Sequence, residues 1–143
     1  LLLDLYCGTG TIGLSMAHLV REVIGVEIVK EAIKDAINNA KFNHIHNCFF
    51  YCEDASQFIV QDNNHFDVVF VDPPRKGCDF VFLDALIQKK VKKIVYISCN
   101  PTTQARDVAY LCKNGYTFNE VYPFDMFPQT YHVETIILLN RCK

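Results

Sequence analysis

The feature of this chain that most constrains its fold is the alternation of short apolar runs with segments of helical periodicity. Five apolar runs predict buried strands, and five other segments repeat their apolar residues with a period near 3.6. Strands that alternate with helices require a mostly parallel sheet with helices on both faces. The predicted strands are 1–6, 22–27, 47–52, 66–71 and 93–98, and the predicted helices are 11–20, 29–42, 54–62, 79–90 and 102–114.

The last part of the chain breaks this alternation. Residues 116–127 and 132–141 predict two successive strands with no helix between them, a closing hairpin that adds antiparallel pairing. The predicted fold is therefore an α/β domain over residues 1–143, with a mostly parallel seven-stranded sheet and a C-terminal antiparallel hairpin. Because the sequence starts within a strand and without Met, we expect it to be a fragment of a longer protein.

Composition excludes several classes of protein. Hydrophobic residues make up 50% and charged residues 21%, which is typical of a globular domain. No apolar run reaches about 18 residues, so no membrane span is predicted. The net charge of −2 offers no bulk attraction to nucleic acid. Seven cysteines without a CxxC pair argue against a disulfide framework and a zinc site, and they indicate a reduced, cytoplasmic protein.

A glycine-rich segment follows the first predicted strand. Ligands of parallel sheets bind beyond the carboxyl ends of the strands, so this segment is a candidate binding loop. Gly8, Gly10 and Gly13 form a GxGxxG pattern, and Glu27 ends the next strand, where it could take a ribose hydroxyl. The pattern fits either a dinucleotide or S-adenosylmethionine (SAM). An acidic side chain close to the loop, such as Asp4, favours binding of a cationic sulfonium over a diphosphate. The loop alone is compatible with both SAM and a dinucleotide.

The segment DPPRKG follows the fourth predicted strand. Asp72 ends that strand, and the two prolines stiffen the exit, so the segment suits contact with a planar base. A plain proline-rich turn is the alternative. Arg75 and Lys76 are placed to meet a phosphate. The basic run 89–93 lies at the start of the next strand, the opposite end from the cleft, and predicts a solvated face.

A cysteine stands where the fifth predicted strand gives way to a helix. In VYISCNP, Asn100 is a good N-cap and Pro101 a good first helical residue. Cys99 then lies one residue before the cap, close to the positive end of a helix dipole, which favours the thiolate. The alternative is a buried, inert cysteine, the usual fate of a free thiol.

The last predicted strand carries one carboxylate near its start. Glu134 precedes an apolar run. Without further context it is predicted to be a solvated residue at the edge of the sheet. His132 faces the same way and is interpreted as a positioning or packing residue. His44 and His46 form a lone HxH in a loop, which does not predict a metal site.

Five segments together resemble one family. DLYCGTGTIGL, GVE, DPPRKG, YISCNP and MFPQTYHVET are similar to the RNA uracil-5-methyltransferases, which make 5-methyluridine in tRNA or ribosomal RNA. The resemblance covers the whole chain and implies a Rossmann-like class I methyltransferase fold, SAM as cofactor and RNA as partner, with no metal. We expect a monomer.

The resemblance also implies roles for individual residues. Cys99 would be the nucleophile and Glu134 the base that removes the C5 proton. The predicted cofactor site comprises Tyr6, Gly8, Gly10, Thr11, Glu27, Asp54 and Asp72, and the predicted substrate contacts are Asp72, Pro73 and Arg75.

Two other functions stay open at this point. One is another SAM-dependent methyltransferase that acts on cytosine or a small molecule. Cytosine-specific RNA enzymes of similar fold typically carry a cysteine after the proline of the strand-four motif, where this chain has DPPR. The other is a nucleotide-binding module without chemistry, similar to a dehydrogenase domain, which a titration with SAM and NAD would distinguish.

Overall fold

The structure is a computed structural model that describes residues 1–142. Its strands are β1 Leu2–Leu5, β2 Val23–Glu27, β3 Cys48–Cys52, β4 Val68–Val71, β5 Lys93–Ser98, β6 Tyr116–Thr117, β7 Val121–Phe124 and β8 Glu134–Arg141. Its helices are α1 Thr11–Met16, α2 Lys30–Phe42, α3 Ala55–Gln61, α4 Phe80–Gln88 and α5 Pro101–Lys113, and α1 continues into a 3₁₀ turn over Ala17–Leu19.

One mixed sheet organises these elements. Its strand order is β3-β2-β1-β4-β5-β8-β6, and β7 also pairs with β8. The first five strands are parallel, whereas β8 runs antiparallel to its neighbours β5, β6 and β7. The order reverses between β1 and β4, and such a switch point opens a crevice at the carboxyl ends of the strands. The predicted parallel sheet with helices on both faces is confirmed.

The predicted strand over 116–127 is wrong in one respect. It is split into β6 and β7, so the described residues form eight strands instead of seven. The chain bends at Asn119, a residue type that favours turns over strands. Pro123 cannot donate to a ladder, and it is tolerated because β7 is an exposed edge strand.

Two apolar cores lie on opposite faces of the sheet. On one face α3, α4 and α5 cover the central strands, with Phe82, Leu83 and Ile94 fully buried. On the other face α1 covers Leu2 and Val23, but β5, β7 and β8 carry no helix. The side chains there are exposed or half-buried: Val95, Ile97, Tyr122, Phe124, Ile136 and Leu138. Among the described residues no helix is long and apolar enough to cross a bilayer.

Asp4 joins the sheet to the first helix. It lies on β1 with 1% of its surface exposed, and its Oδ2 accepts the Gly13 N–H at 2.9 Å. A Cβ on Gly13 would stand 2.9 Å from the same oxygen, so only glycine fits this approach. Within residues 1–142 the second oxygen, Oδ1, has no hydrogen-bond partner. Burial raises the pKa of Asp4 to about 7, because the charged form is poorly solvated, and the nearby Asp72 adds to the rise.

This raised pKa predicts a specific pH dependence of stability. Between about pH 4 and pH 7 the folded protein holds a proton on Asp4 that the unfolded chain releases, so the free energy of unfolding falls as pH rises. We expect Asp4→Asn, which keeps an acceptor for Gly13, to remove roughly 2–4 kcal/mol of this decline. Urea denaturation across pH 4–8 measures the free energy of unfolding at each pH. Asp35→Asn, at an exposed position on α2, is the control and should keep the wild-type slope; parallel curves for wild type and Asp4→Asn would contradict the assignment.

Candidate active site

The glycine loop between β1 and α1 depends on left-handed backbone conformations. Gly8 has φ 53° and Gly10 has φ 81°, a region that side chains disfavour. At Gly10 space is restricted as well, since a Cβ would lie 3.0 Å from the Phe50 ring and 3.1 Å from the Ala36 Cβ. At Gly8 a Cβ would meet nothing within 4 Å, so the requirement there is conformational. Tyr6 also adopts a positive φ of 63°, which turns the chain out of β1.

Glu27, at the end of β2, is oriented by backbone hydrogen bonds. Its Oε2 accepts the Gly8 N–H at 3.1 Å, and its Oε1 accepts the Val29 N–H at 3.0 Å. The carboxylate therefore ties the glycine loop to the next strand. Each oxygen retains acceptor capacity for a ligand hydroxyl.

A cavity of about 790 Å³ opens at this edge of the sheet. Four predicted cofactor residues line it: Tyr6, Glu27, Asp54 and Asp72. Gly8 does not line the cavity, but its N–H donates a hydrogen bond to Glu27, which does. Thr11 is not part of its lining; it begins α1 and borders a separate shallow depression with Ser15 and Asn39. Of the two prolines after Asp72, Pro74 lines the cavity and the predicted Pro73 is buried. Lys76 and Gly77, from the predicted DPPRKG segment, also line the cavity, whereas the sequence did not predict the other lining residues, Ile28, Ser56, Cys78, Asp79, Phe80 and Arg106.

The cavity is predominantly acidic. Four carboxylates line it, those of Glu27, Asp54, Asp72 and Asp79, against the cations of Lys76 and Arg106. One of these cations is already paired, since Arg106 contacts a buried carboxylate on its own helix at 2.7 Å. An acid-lined pocket repels a diphosphate and attracts a cation or a polyhydroxylated group. Tyr6, Ile28 and Phe80 supply apolar surface, and the Tyr6 ring packs on Phe82 with centroids 5.8 Å apart.

Asp54 and Asp79 are fixed by the helices they cap. The Asp54 carboxylate accepts the Gln57 N–H at 2.9 Å at the start of α3. Asp79 accepts the Phe82 N–H at 2.8 Å at the start of α4, and the Ser56 hydroxyl donates to its other oxygen at 3.1 Å. Local capping thus orients two of the four acids of the cavity.

Cys99 and Glu134 lie at neighbouring strand ends. Ser98 and Thr135 form the last pair of the antiparallel β5–β8 ladder, so Cys99 directly follows one member of this pair and Glu134 directly precedes the other. Both residues are half-buried, whereas Thr135 points into the core. Neither lines the cavity itself, which ends at Asp72.

Asp72 links the cavity to this pair. Burial and, to a smaller extent, the charge of Glu134 together raise the pKa of Asp72 to about 6. A carboxyl group with such a pKa exchanges its proton near neutral pH. Asp72 therefore lines the cavity and lies close enough to Glu134 to feel its charge.

The helix after Cys99 begins as predicted. Pro101 is the first residue of α5, and the Asn100 side chain accepts the Thr102 N–H at 3.2 Å as its N-cap. Arg75 is exposed, and its guanidinium lies 3.4 Å from Nδ1 of His132. The predicted substrate contact Arg75 is thus placed beside the strand that carries Glu134.

Sequence reasoning missed a buried network beneath this site. Asp107 is fully buried on α5, where it interrupts an apolar stripe formed with Val108 and Leu111. A charged residue on the buried face of a helix was the available signal. In the structure it fixes the segment between Asp72 and α4, as described below.

Together the order reversal in the sheet, the glycine loop and the ribose-type carboxylate define a Rossmann-like class of protein. Comparison with known proteins places the chain more narrowly. Residues 1–142 match the family model described as tRNA (uracil-5-)-methyltransferase, and the chain belongs to that family.

Similarities to individual proteins are consistent with membership of this family. An uncharacterised RNA methyltransferase of Staphylococcus aureus is 54% identical over 141 residues, 96% of this chain and 31% of that protein. The crystal structure of Pyrococcus abyssi tRNA (uracil-54, C5)-methyltransferase in complex with S-adenosyl-L-homocysteine superimposes with a TM-score of 0.84 at 39% identity, over 96% of this chain and 33% of that one. A precorrin-6y C5,15-methyltransferase of Geobacter metallireducens shares the fold alone, with a TM-score of 0.81 at 17% identity over 98% and 80%. The chain spans about a third of the length of the curated relatives it matches.

The geometry of the glycine loop makes a testable prediction about stability. We expect Gly10→Ala to destabilise the domain more than Gly115→Ala, because both positions have a left-handed φ but only Gly10 also faces Phe50 and Ala36. The control should lose about 1–2 kcal/mol from backbone strain alone, and Gly10→Ala should lose more. Urea denaturation of both variants measures the difference. Equal losses would show that the contact with Phe50 relaxes freely.

Proposed function

We propose that this domain transfers a methyl group from SAM to C5 of a uridine in RNA, through a covalent bond between Cys99 and uracil C6. The observation that carries the proposal is that Cys99 and Glu134 flank the last pair of the β5–β8 ladder, Ser98 with Thr135, and that the charge of Glu134 acts on Asp72, which lines an acidic cavity. Membership of the uracil-5-methyltransferase family supports it. The RNA is a tRNA or a ribosomal RNA.

The cavity suits SAM in shape and charge. Glu27, already oriented by two N–H groups, offers acceptors to the ribose hydroxyls. Tyr6, Ile28 and Phe80 offer apolar surface to the adenine, and the surrounding carboxylates favour the positive charges of the sulfonium and the amino group. The Pyrococcus abyssi structure, which contains S-adenosyl-L-homocysteine, supports this assignment. Bound SAM supplies an electrophilic methyl group.

Cys99 performs the first chemical step. Uracil C5 is a weak nucleophile, so carbon–carbon bond formation needs prior activation. The Cys99 thiolate adds to C6, and the displaced electron pair forms an enolate with negative charge at O4 and nucleophilic character at C5. The protonated form of Asp72, a minority at pH 7 because the pKa is about 6, donates a hydrogen bond to that developing charge.

Glu134 performs the last step. After methylation C5 carries both its original proton and the new methyl group, and the base is saturated and still bonded to sulfur. Glu134 takes the C5 proton, the electrons re-form the C5–C6 double bond, and the thiolate leaves. The target base must be unstacked to reach Cys99, so uridines in loops or single strands are the expected substrates.

Cofactor binding tests the first half of this proposal. We expect Glu27→Ala in the full-length enzyme to weaken SAM binding by about 1–3 kcal/mol, because ribose hydroxyls lose their acceptor. Isothermal titration calorimetry gives the affinity. Glu31→Ala, an exposed glutamate on α2, should bind as wild type. Unchanged affinity in Glu27→Ala would remove this residue from the cofactor site.

Trapping of the covalent complex tests the second half. Cys99→Ala removes the attacking group, so neither adduct nor product should form. Glu134→Gln leaves attack and methylation intact but stops elimination, so methylated RNA should remain bonded to Cys99. Both variants should be inactive in turnover, yet on a denaturing gel with labelled RNA only Glu134→Gln should show a slowly migrating complex. A complex that persists in Cys99→Ala would assign the nucleophile elsewhere, and normal turnover by Glu134→Gln would exclude it as the base.

A further inference from the structure

Residues 73–78 form the segment between β4 and α4. Side chains on one face of α5 and at its N-cap form hydrogen bonds with the backbone of this segment. At the end of this segment nearer Asp72, the Arg75 carbonyl accepts two hydrogen bonds. One comes from the Asn100 amide at 2.9 Å and the other from the Thr103 hydroxyl at 3.0 Å. The donors are three residues apart, so they lie on the same side of the helix.

The other end of the segment is held by a charged pair one turn further along α5. The Arg106 guanidinium donates to the carbonyls of Lys76 at 3.2 Å and Cys78 at 2.9 Å. Asp107 accepts the Cys78 N–H at 2.8 Å and the Tyr96 hydroxyl at 2.6 Å, and it pairs with Arg106 at 2.7 Å. The carboxylate of Asp107 is fully buried, and it is tolerated because these donors satisfy it.

The backbone of the segment lies directly against this pair. Gly77 has φ 75°, and a Cβ there would stand 2.6 Å from the Asp107 carboxylate and 2.8 Å from the Arg106 guanidinium. Tyr96 and Cys78 remain neutral donors at physiological pH, since burial raises the pKa of both well above it.

The bonded elements connect the two halves of the site. α5 begins two residues after Cys99, and the held segment begins immediately after Asp72. Lys76, Gly77 and Cys78 also form part of the cavity wall. Any movement of the segment relative to α5 would change the separation of Cys99 from Asp72 and the shape of the cavity.

We propose that Asn100, Thr103, Arg106 and Asp107 form a positioning clamp, the α5 clamp, which sets the distance between the nucleophile and the cofactor cavity. The proposal rests on the function proposed above. The clamp has two separable ends. Asn100 and Thr103 hold the end nearer the substrate and act on attack at C6, whereas Arg106 and Asp107 hold the cavity wall and act on cofactor affinity.

The substrate end is tested in the full-length enzyme with Asn100→Ser/Thr103→Val. Serine keeps a capping oxygen for α5 but has no amide donor for Arg75, and valine matches threonine in shape without its hydroxyl. With 5-fluorouridine RNA, whose C5 fluorine blocks elimination, we expect covalent complex to form at least about tenfold more slowly at saturating SAM. The dissociation constant of SAM should stay within twofold.

The cofactor end is tested with Arg106→Lys, which keeps the charge but cannot reach both carbonyls with a planar fork. We expect its SAM dissociation constant to rise about five- to tenfold, with complex formation at saturating SAM within twofold of wild type. The proposal thus predicts that one variant changes mainly the rate of complex formation and the other mainly the dissociation constant of SAM. A general loss of stability would instead change both quantities in both variants.

Two controls define the result. Asn100→Ser/Thr103→Ser restores one hydroxyl and should recover most of the rate, and Thr102→Val, at an exposed neighbouring position, should behave as wild type. If the double variant fails to fold by thermal melting, the Thr103→Val single variant provides the same comparison. A wild-type rate of complex formation in Asn100→Ser/Thr103→Val, a wild-type SAM dissociation constant in Arg106→Lys, or equal losses of both quantities in either variant would overturn the clamp. Absence of a Cys99-dependent complex in the wild type would instead overturn the proposed function.

Discussion

Parallel pairing of β1 with both β2 and β4 is the constraint on which the site depends. Leu5 pairs with Val26 on one side and with Val71 on the other. The next residues of the three strands, Tyr6, Glu27 and Asp72, therefore emerge at the same level of the sheet. No long-range recognition between loops is needed to bring them together, because the ladder register already does so.

The electrostatics of the site work against the stability of the fold. Asp4 and Asp72 both have raised pKa values, mainly because burial disfavours their charged forms, with smaller contributions from Asp72 on Asp4 and from Glu134 on Asp72. Each keeps its position because backbone geometry fixes it. Groups that destabilise a protein in this way are concentrated at functional sites, where an altered pKa serves the chemistry.

Local signals in the sequence predicted most of the sheet and the edge at which residues gather. The Asn100–Pro101 pair predicted the start of α5 to the residue, because capping is a local interaction. The family resemblance supplied the predicted roles of Cys99 and Glu134, which stay predictions; in the structure both residues flank the last pair of the β5–β8 ladder. The motif alone could not predict that Thr11 does not line the cavity, since the direction of a side chain after a turn depends on tertiary packing. The partners of Asp107 lie up to 29 residues away along the chain, beyond the reach of any local pattern.

The position of β8 has a consequence for how the protein is made. Among the described strands β8 is the last in chain order, so it leaves the ribosome after the other seven, yet it lies between β5 and β6, inside the sheet. Until it is synthesised, β5 has an unpaired edge, and α5 and β6 must leave a gap of one strand beside it. Nascent chains with such an edge are prone to pair wrongly. Because Glu134 is the first residue of β8, the end of the sheet next to Cys99 is completed only when this vulnerable interval ends.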